Sequence, residues 1–149
     1  MEDFKIDFAC VENPCGERGR ELDVREPFAI ELHYRVLEKL PVSRVGVLMT
    51  TADGVVVFDA YDSDDERYAK PRLPGRYVSR CVVPGKLLGP GRYFVSINAG
   101  VPNSRNLANI GSALALDLVD TGAVGSHMPG GRAGILRPEL RWEQEVRDL

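Results

Sequence analysis

The chain has 149 residues, 44% of them hydrophobic, and a formal net charge of −3. That length suits a single domain, 1–149, burying ~70% of its unfolded surface, and the apolar share excludes wholesale disorder. The acidic balance argues against nucleic acid as a partner, which calls for clustered basic charge, and no apolar run approaches the ~18 residues of a membrane helix.

In chain order, Phe4 to Val11 reads as a strand, and Asn13-Pro14-Cys15-Gly16 as the turn that leaves it. From Phe28 to Val36 the alternation is clearest. Phe28, Ile30, Leu32, Tyr34 and Val36 point one way, while Ala29, Glu31, His33 and Arg35 point the other. A strand with one apolar and one polar face belongs to an antiparallel sheet covered on one side. Val45 to Met49 and Val55 to Phe58 follow as a hairpin around Asp53-Gly54, a strong hairpin signal.

A phrase then occurs twice. Pro74-Gly75-Arg76-Tyr77 opens the run to Val83, and Pro90-Gly91-Arg92-Tyr93 opens the run to Asn98. Each proline-glycine pair makes a tight turn into an extended segment, and the short linker between the two predicts that they pair antiparallel. Tyr77, Ser79, Cys81 and Val83 alternate with Arg76, Val78, Arg80 and Val82; Leu114, Leu116 and Leu118 alternate with Ala113, Ala115 and Asp117. Ile135 to Glu143 is predicted as a last strand carrying Trp142. Asp59 to Leu73, Ala99 to Ser112 and the glycine-rich Thr121 to Gly134 read as long connections. With 15 glycines and 10 prolines and little helical periodicity, the expectation is all-β: an antiparallel sandwich, immunoglobulin-like or jelly roll.

The constellations that carry chemistry are sparse. Cys10, Cys15 and Cys81 form no CxxC pair and suit a reducing compartment. Cys10 and Cys15 read as too isolated for zinc, since the histidines are His33 and His127 alone. Asp59, Asp62, Asp64, Asp65 and Glu66 crowd one loop, but their spacing misses the EF-hand register. Ser43, Ser79 and Ser96 lack a nucleophile-elbow context, and no GxxxxGK[ST] loop occurs. The expectation is a non-enzyme with no cofactor and no metal.

Taken together, the strand Phe28 to Val36, Val45-Gly46-Val47, Asp53-Gly54 before Val57-Phe58 and the aspartate-rich loop form an ordered pattern. Pro84 with Leu87-Leu88, Pro90-Gly91-Arg92-Tyr93, and Arg132-Ala133-Gly134-Ile135 with Trp142 complete it. From Phe4 to Glu143 this order resembles the carbohydrate-binding C-terminal domain of Wzt-type ABC transporter ATPases, which export O-antigen and related polysaccharides. The resemblance implies a sandwich that recognises an exported polysaccharide, works as a homodimer in the cytoplasm, and meets the membrane only through a transporter permease. The ATPase itself is missing from this chain.

Sugar binding needs aromatic faces for the apolar side of a pyranose and polar groups for its hydroxyls. Tyr61 and Tyr68 supply the first from the long loop. His33, Arg35, Arg80, Ser96 and Asn98 supply the second from strand positions opposite apolar neighbours, and are expected to share one polar face. Tyr34, Tyr77, Tyr93 and Trp142 read as core or corner residues. The alternatives are a sandwich for protein interaction without a sugar site, and a small enzyme acting on sugar nucleotides.

Overall fold

A computed structural model describes residues 3–120, 134–138 and 140–147. Among the described residues, eight strands carry the fold: β1 (Phe4–Glu12), β2 (Glu21–Asp23), β3 (Phe28–Val36), β4 (Arg44–Thr51), β5 (Val56–Tyr61), β6 (Gly75–Val83), β7 (Gly91–Val101) and β8 (Arg105–Val119). Helical structure among the described residues is limited to two short 3-10 turns, Asp62–Asp64 and Glu66–Tyr68. The strands form a three-stranded sheet, β1-β3-β6, and a five-stranded sheet, β2-β8-β7-β4-β5.

The core lies between them, as the alternation requires. Ile30, Leu32, Tyr34 and Val36 of β3 face Val45, Val47 and Met49 of β4, Tyr93, Val95 and Ile97 of β7, and Leu116 and Leu118 of β8. Asp53-Gly54 turns β4 into β5: Gly54 sits at φ 86° and donates to the Thr51 carbonyl at 3.0 Å. All the pairings are antiparallel except β2, whose three residues run parallel to β8. Leu22 and Val24, isolated in a charged stretch, were its faint apolar signal.

Three expectations need correction. β6 and β7 do not pair; β6 borders β3, and β7 lies between β4 and β8 in the other sheet. Turn chemistry aims a chain without choosing its partner. Here the linker crosses between sheets and docks on the 24–26 backbone. Lys86 donates to the Val24 carbonyl at 2.8 Å, and a Cβ at Gly85 would meet the Arg25 carbonyl at 2.3 Å. The second correction is Ala99 to Ser112, which is no loose connection. β7 and β8 run through it as a long hairpin, tightly turned at Asn103 (φ 60°). The third is Ile135 to Glu143, whose described residues make only an isolated bridge between Leu136 and Leu88, after which Pro138 withholds a ladder donor. Trp142 is 88% exposed, so it is not a core residue. The Thr121 to Gly134 connection falls, up to residue 133, outside the described residues, and His127 with it.

The repeated phrase has a shared local structure. The Tyr77 hydroxyl donates to the Leu73 carbonyl, and the Tyr93 hydroxyl to the Gly89 carbonyl, each at 2.7 Å and each four residues back. Both tyrosines thus pin the turn that delivers their strand. The Tyr93 bond is buried, whereas that of Tyr77 is exposed. Tyr93→Phe is expected to cost about 1–3 kcal/mol because it orphans a buried carbonyl, and Tyr77→Phe distinctly less. Urea midpoints compare the two; equal losses would contradict the burial argument.

Candidate functional site

Pairing on both sides of β3 builds rows across the outer face of the three-stranded sheet. Cys10, Glu31 and Arg80 form one row, and Phe8, His33 and Val78 the next. Glu31 is only 4% exposed. Its Oε1 lies 3.1 Å from His33 Nε2 and 3.6 Å from Cys10 Sγ, while Arg80 binds its Oε2 and reaches Glu12 at 3.2 Å. Burial alone would raise the Glu31 carboxyl. Hydrogen bonding shared with Glu12 and His33 and the charge of Arg80 outweigh it and hold the pKa at about 2. The Phe8 ring stacks on His33 at 4.1 Å, and Arg35 pairs with Asp7 at 2.9 Å.

β5 and β6 are the free edges of the two sheets on one side of the sandwich, and the segment after β5 closes the gap. Beneath it lies a buried network. Arg72 donates to the Tyr34 hydroxyl at 2.5 Å, to the Ser43 carbonyl at 3.1 Å and to the Asp62 carboxylate at 2.8 Å. Asp62 also accepts from the Val45 N–H at 3.0 Å and the Ser79 hydroxyl at 3.1 Å, tying β4 to β6. Above it a cavity of about 590 Å³ is lined by Tyr61, Tyr68, Arg67, Lys70 and Arg80, among others. The acidic loop serves this architecture. Asp64 caps the Tyr61 N–H at 3.0 Å, and Asp65 caps Arg67 and pairs with its guanidinium.

The third place is the outer face of the five-stranded sheet. Ladder register aligns Asn109 of β8, Asn98 of β7, Gly46 of β4 and Tyr61 of β5 in one row, and Asn106, Gly100 and Arg44 in the adjacent row. Four strands at about 4.8 Å spacing make a platform about 14 Å across. The Tyr61 ring lies flat against Gly46, where a Cβ would come within 2.5 Å of it. The Arg44 guanidinium stacks 4.0 Å from the same ring centroid. With Asn103, Ser104 and Arg105 at the hairpin tip, Arg44, Tyr61, Asn98, Gly100, Asn106 and Asn109 line a groove of about 490 Å³, while Gly46 lies under the Tyr61 ring. Arg105 is tied to Asp3. The amides of Asn98, Asn106 and Asn109 make no side-chain hydrogen bond to another described residue, leaving donors and acceptors toward the groove.

The five residues expected on one polar face, with Tyr61 and Tyr68 bordering it, are therefore divided. His33, Arg35 and Arg80 stand on the outer face of the three-stranded sheet, and Ser96 and Asn98 on that of the other sheet. The division follows from β6 and β7 belonging to different sheets. Tyr61, Tyr68 and Arg80 share the edge cavity; Tyr61 and Asn98 share the groove. The Ser96 hydroxyl accepts from the Ser112 N–H at 2.9 Å beside the β7–β8 register shift, a structural role. Arg44, Asn106 and Asn109 escaped the sequence reading because 99–112 passed as a loop. Its asparagines on either side of a Pro102-Asn103 turn were the available signal.

No family model matches the chain, and no curated protein matches it in sequence. Among solved structures, the fold is similar to the crystal structure of the C-terminal domain of wzt. The TM-score is 0.75 at 13% identity, over 97% of this chain and 86% of that chain. The resemblance read from the order of the strands is thus met in fold. No helix among the described residues is long and apolar enough to cross a membrane.

Proposed function

We propose that the chain is a non-catalytic module that recognises an exported polysaccharide of the O-antigen type through the groove on the five-stranded sheet. In this reading it acts in the cytoplasm as a homodimer attached to an ABC export system, and it meets the membrane only through the permease. The observation that carries the reading is the row Asn109, Asn98, Gly46 and Tyr61 on one flat sheet face. Planar amides offer paired donors and acceptors to adjacent sugar hydroxyls. Gly100 lowers the floor of the groove, and Tyr61, seated on Gly46 with Arg44 stacked on it, forms a wall that is apolar in face and polar at its edge. The shared fold with the wzt domain supports it further.

Binding through such a groove is weak per sugar unit, because each protein–hydroxyl bond replaces one to water and contributes about 0.5–1.5 kcal/mol net. Asn98→Ala is expected to weaken calorimetric binding of the cognate polysaccharide about two- to tenfold, and the Asn98→Ala/Asn109→Ala pair more than either alone. Both residues are outward-facing, so the melting temperature should hold. Arg35→Ala, on the far sheet, should bind like the parent. Unchanged affinity in the double variant would overturn the site, and silence across export polysaccharides would favour a protein-interaction domain instead.

A further inference from the structure

We propose that Cys10, Glu31 and His33, on the outer face of the three-stranded sheet, form a binding site for a thiophilic first-row divalent cation, zinc above all. The three donor atoms lie within 4.8 Å of one another. A tetrahedral zinc ion with bonds of about 2.3 Å to sulfur and about 2.0–2.1 Å to oxygen and nitrogen sets its ligands about 3.5 Å apart for S–O and about 3.3 Å for O–N. Here the Cys10 Sγ–Glu31 Oε1 separation is 3.6 Å and the His33 Nε2–Glu31 Oε1 separation is 3.1 Å. Both separations to Glu31 Oε1 thus lie within a few tenths of an ångström of ligand spacing, and the Cys10–His33 pair, within 4.8 Å, has to close further by side-chain rotation, on a rigid platform rather than a loop. Thiolate, imidazole and carboxylate together suit zinc and cobalt, and disfavour magnesium or calcium, which take oxygen ligands.

The surroundings fit an ion as well. Arg80 engages Oε2 of Glu31, leaving Oε1 turned to Cys10 and His33. The Phe8 ring stacked at 4.1 Å fixes the imidazole plane, as outer contacts do around metal-bound histidines. The charged groups facing the site are Glu12 from β1, Arg80 from β6 and Arg18, whose guanidinium stands over Phe8 at 5.5 Å. A dication with the Cys10 thiolate, Glu31 and Glu12 balances Arg80, leaving Arg18 as one positive charge beside the site. Cys10 gives its proton to solvent as the sulfur–metal bond forms, so one proton leaves per ion and affinity rises with pH. Cys10 and His33 are half-buried rather than sealed, so a fourth ligand would come from water or an outside group. This site lies on the sheet opposite the asparagine groove, and it stands or falls independently of sugar binding.

Cobalt(II) titrated into the reduced full chain tests it. The expected result is a thiolate-to-cobalt absorption band that Cys10→Ser abolishes and His33→Ala weakens, while Cys15→Ser and Cys81→Ser retain it. A second readout needs no variant. Zinc at about ten times its dissociation constant leaves roughly one site in eleven open, so alkylation of Cys10 in the parent should slow about tenfold with Cys15 unaffected. No band under excess cobalt, a band that survives Cys10→Ser, or equal alkylation of Cys10 with and without zinc would overturn the proposal.

Discussion

Replacing Arg72 with alanine is expected to cost about 3–5 kcal/mol, the effect of breaking a buried ion pair and stranding its partner. Arg72 is 6% exposed and joins elements far apart in sequence: Tyr34 of β3, the Ser43 carbonyl before β4, and Asp62 at the end of β5. Its own backbone pairs with Leu40 in both directions, at 2.9 and 3.0 Å. Removing the guanidinium leaves the Asp62 carboxylate with only the Ser79 hydroxyl and the Val45 N–H. Lysine restores the charge but not the fork, and should recover only part of the loss. Urea denaturation reads the difference as a lower midpoint. A loss below about 1 kcal/mol would mean the network is ornamental.

Leu116→Ala should cost about 2–5 kcal/mol, because the leucine is 0% exposed between the sheets and its removal leaves a cavity. Leu114, on the same face but half-buried next to the β7–β8 register shift, should cost distinctly less. The two variants together check the orientation of β8. Equal losses would mean that its inner face is assigned incorrectly.

These two residues differ in how far the sequence revealed them. The leucine face of β8 is legible because alternation survives wherever one side of a strand meets the core. The β3 pattern is legible for the same reason. The first half of β8 shows no such pattern, because neither of its faces is buried there, and residues 105–112 are mostly exposed. That blind spot hid three of the groove's residues: Asn106, Asn109 and, through its pairing with Gly100, Arg44. Arg72 left no signal at all, since a lone arginine after a proline reads as surface. Cys10 and His33 are 23 positions apart in the chain, and only the β1–β3 register, set by a shift between Ile6 and Phe8, brings them together. Local patterns determine strands; which strands become neighbours is settled by packing across the whole chain.

The recurring Pro-Gly-Arg-Tyr phrase makes the same point. It encodes two like turns, each locked by its tyrosine hydroxyl, yet their strands enter opposite sheets. A polar face inferred by joining those strands was therefore two faces. The groove gains Tyr61 and Asn98 from that inference and loses His33 and Arg35 to the far side.

Amide NMR of the full chain during titration with the cognate export polysaccharide tests the central claim most directly. Shift changes concentrated at Arg44, Gly46, Tyr61, Asn98 and the 100–109 hairpin, growing with ligand to saturation, are the predicted result. Changes centred instead on Phe8, His33, Arg35 and Arg80 would place recognition on the three-stranded sheet and contradict it.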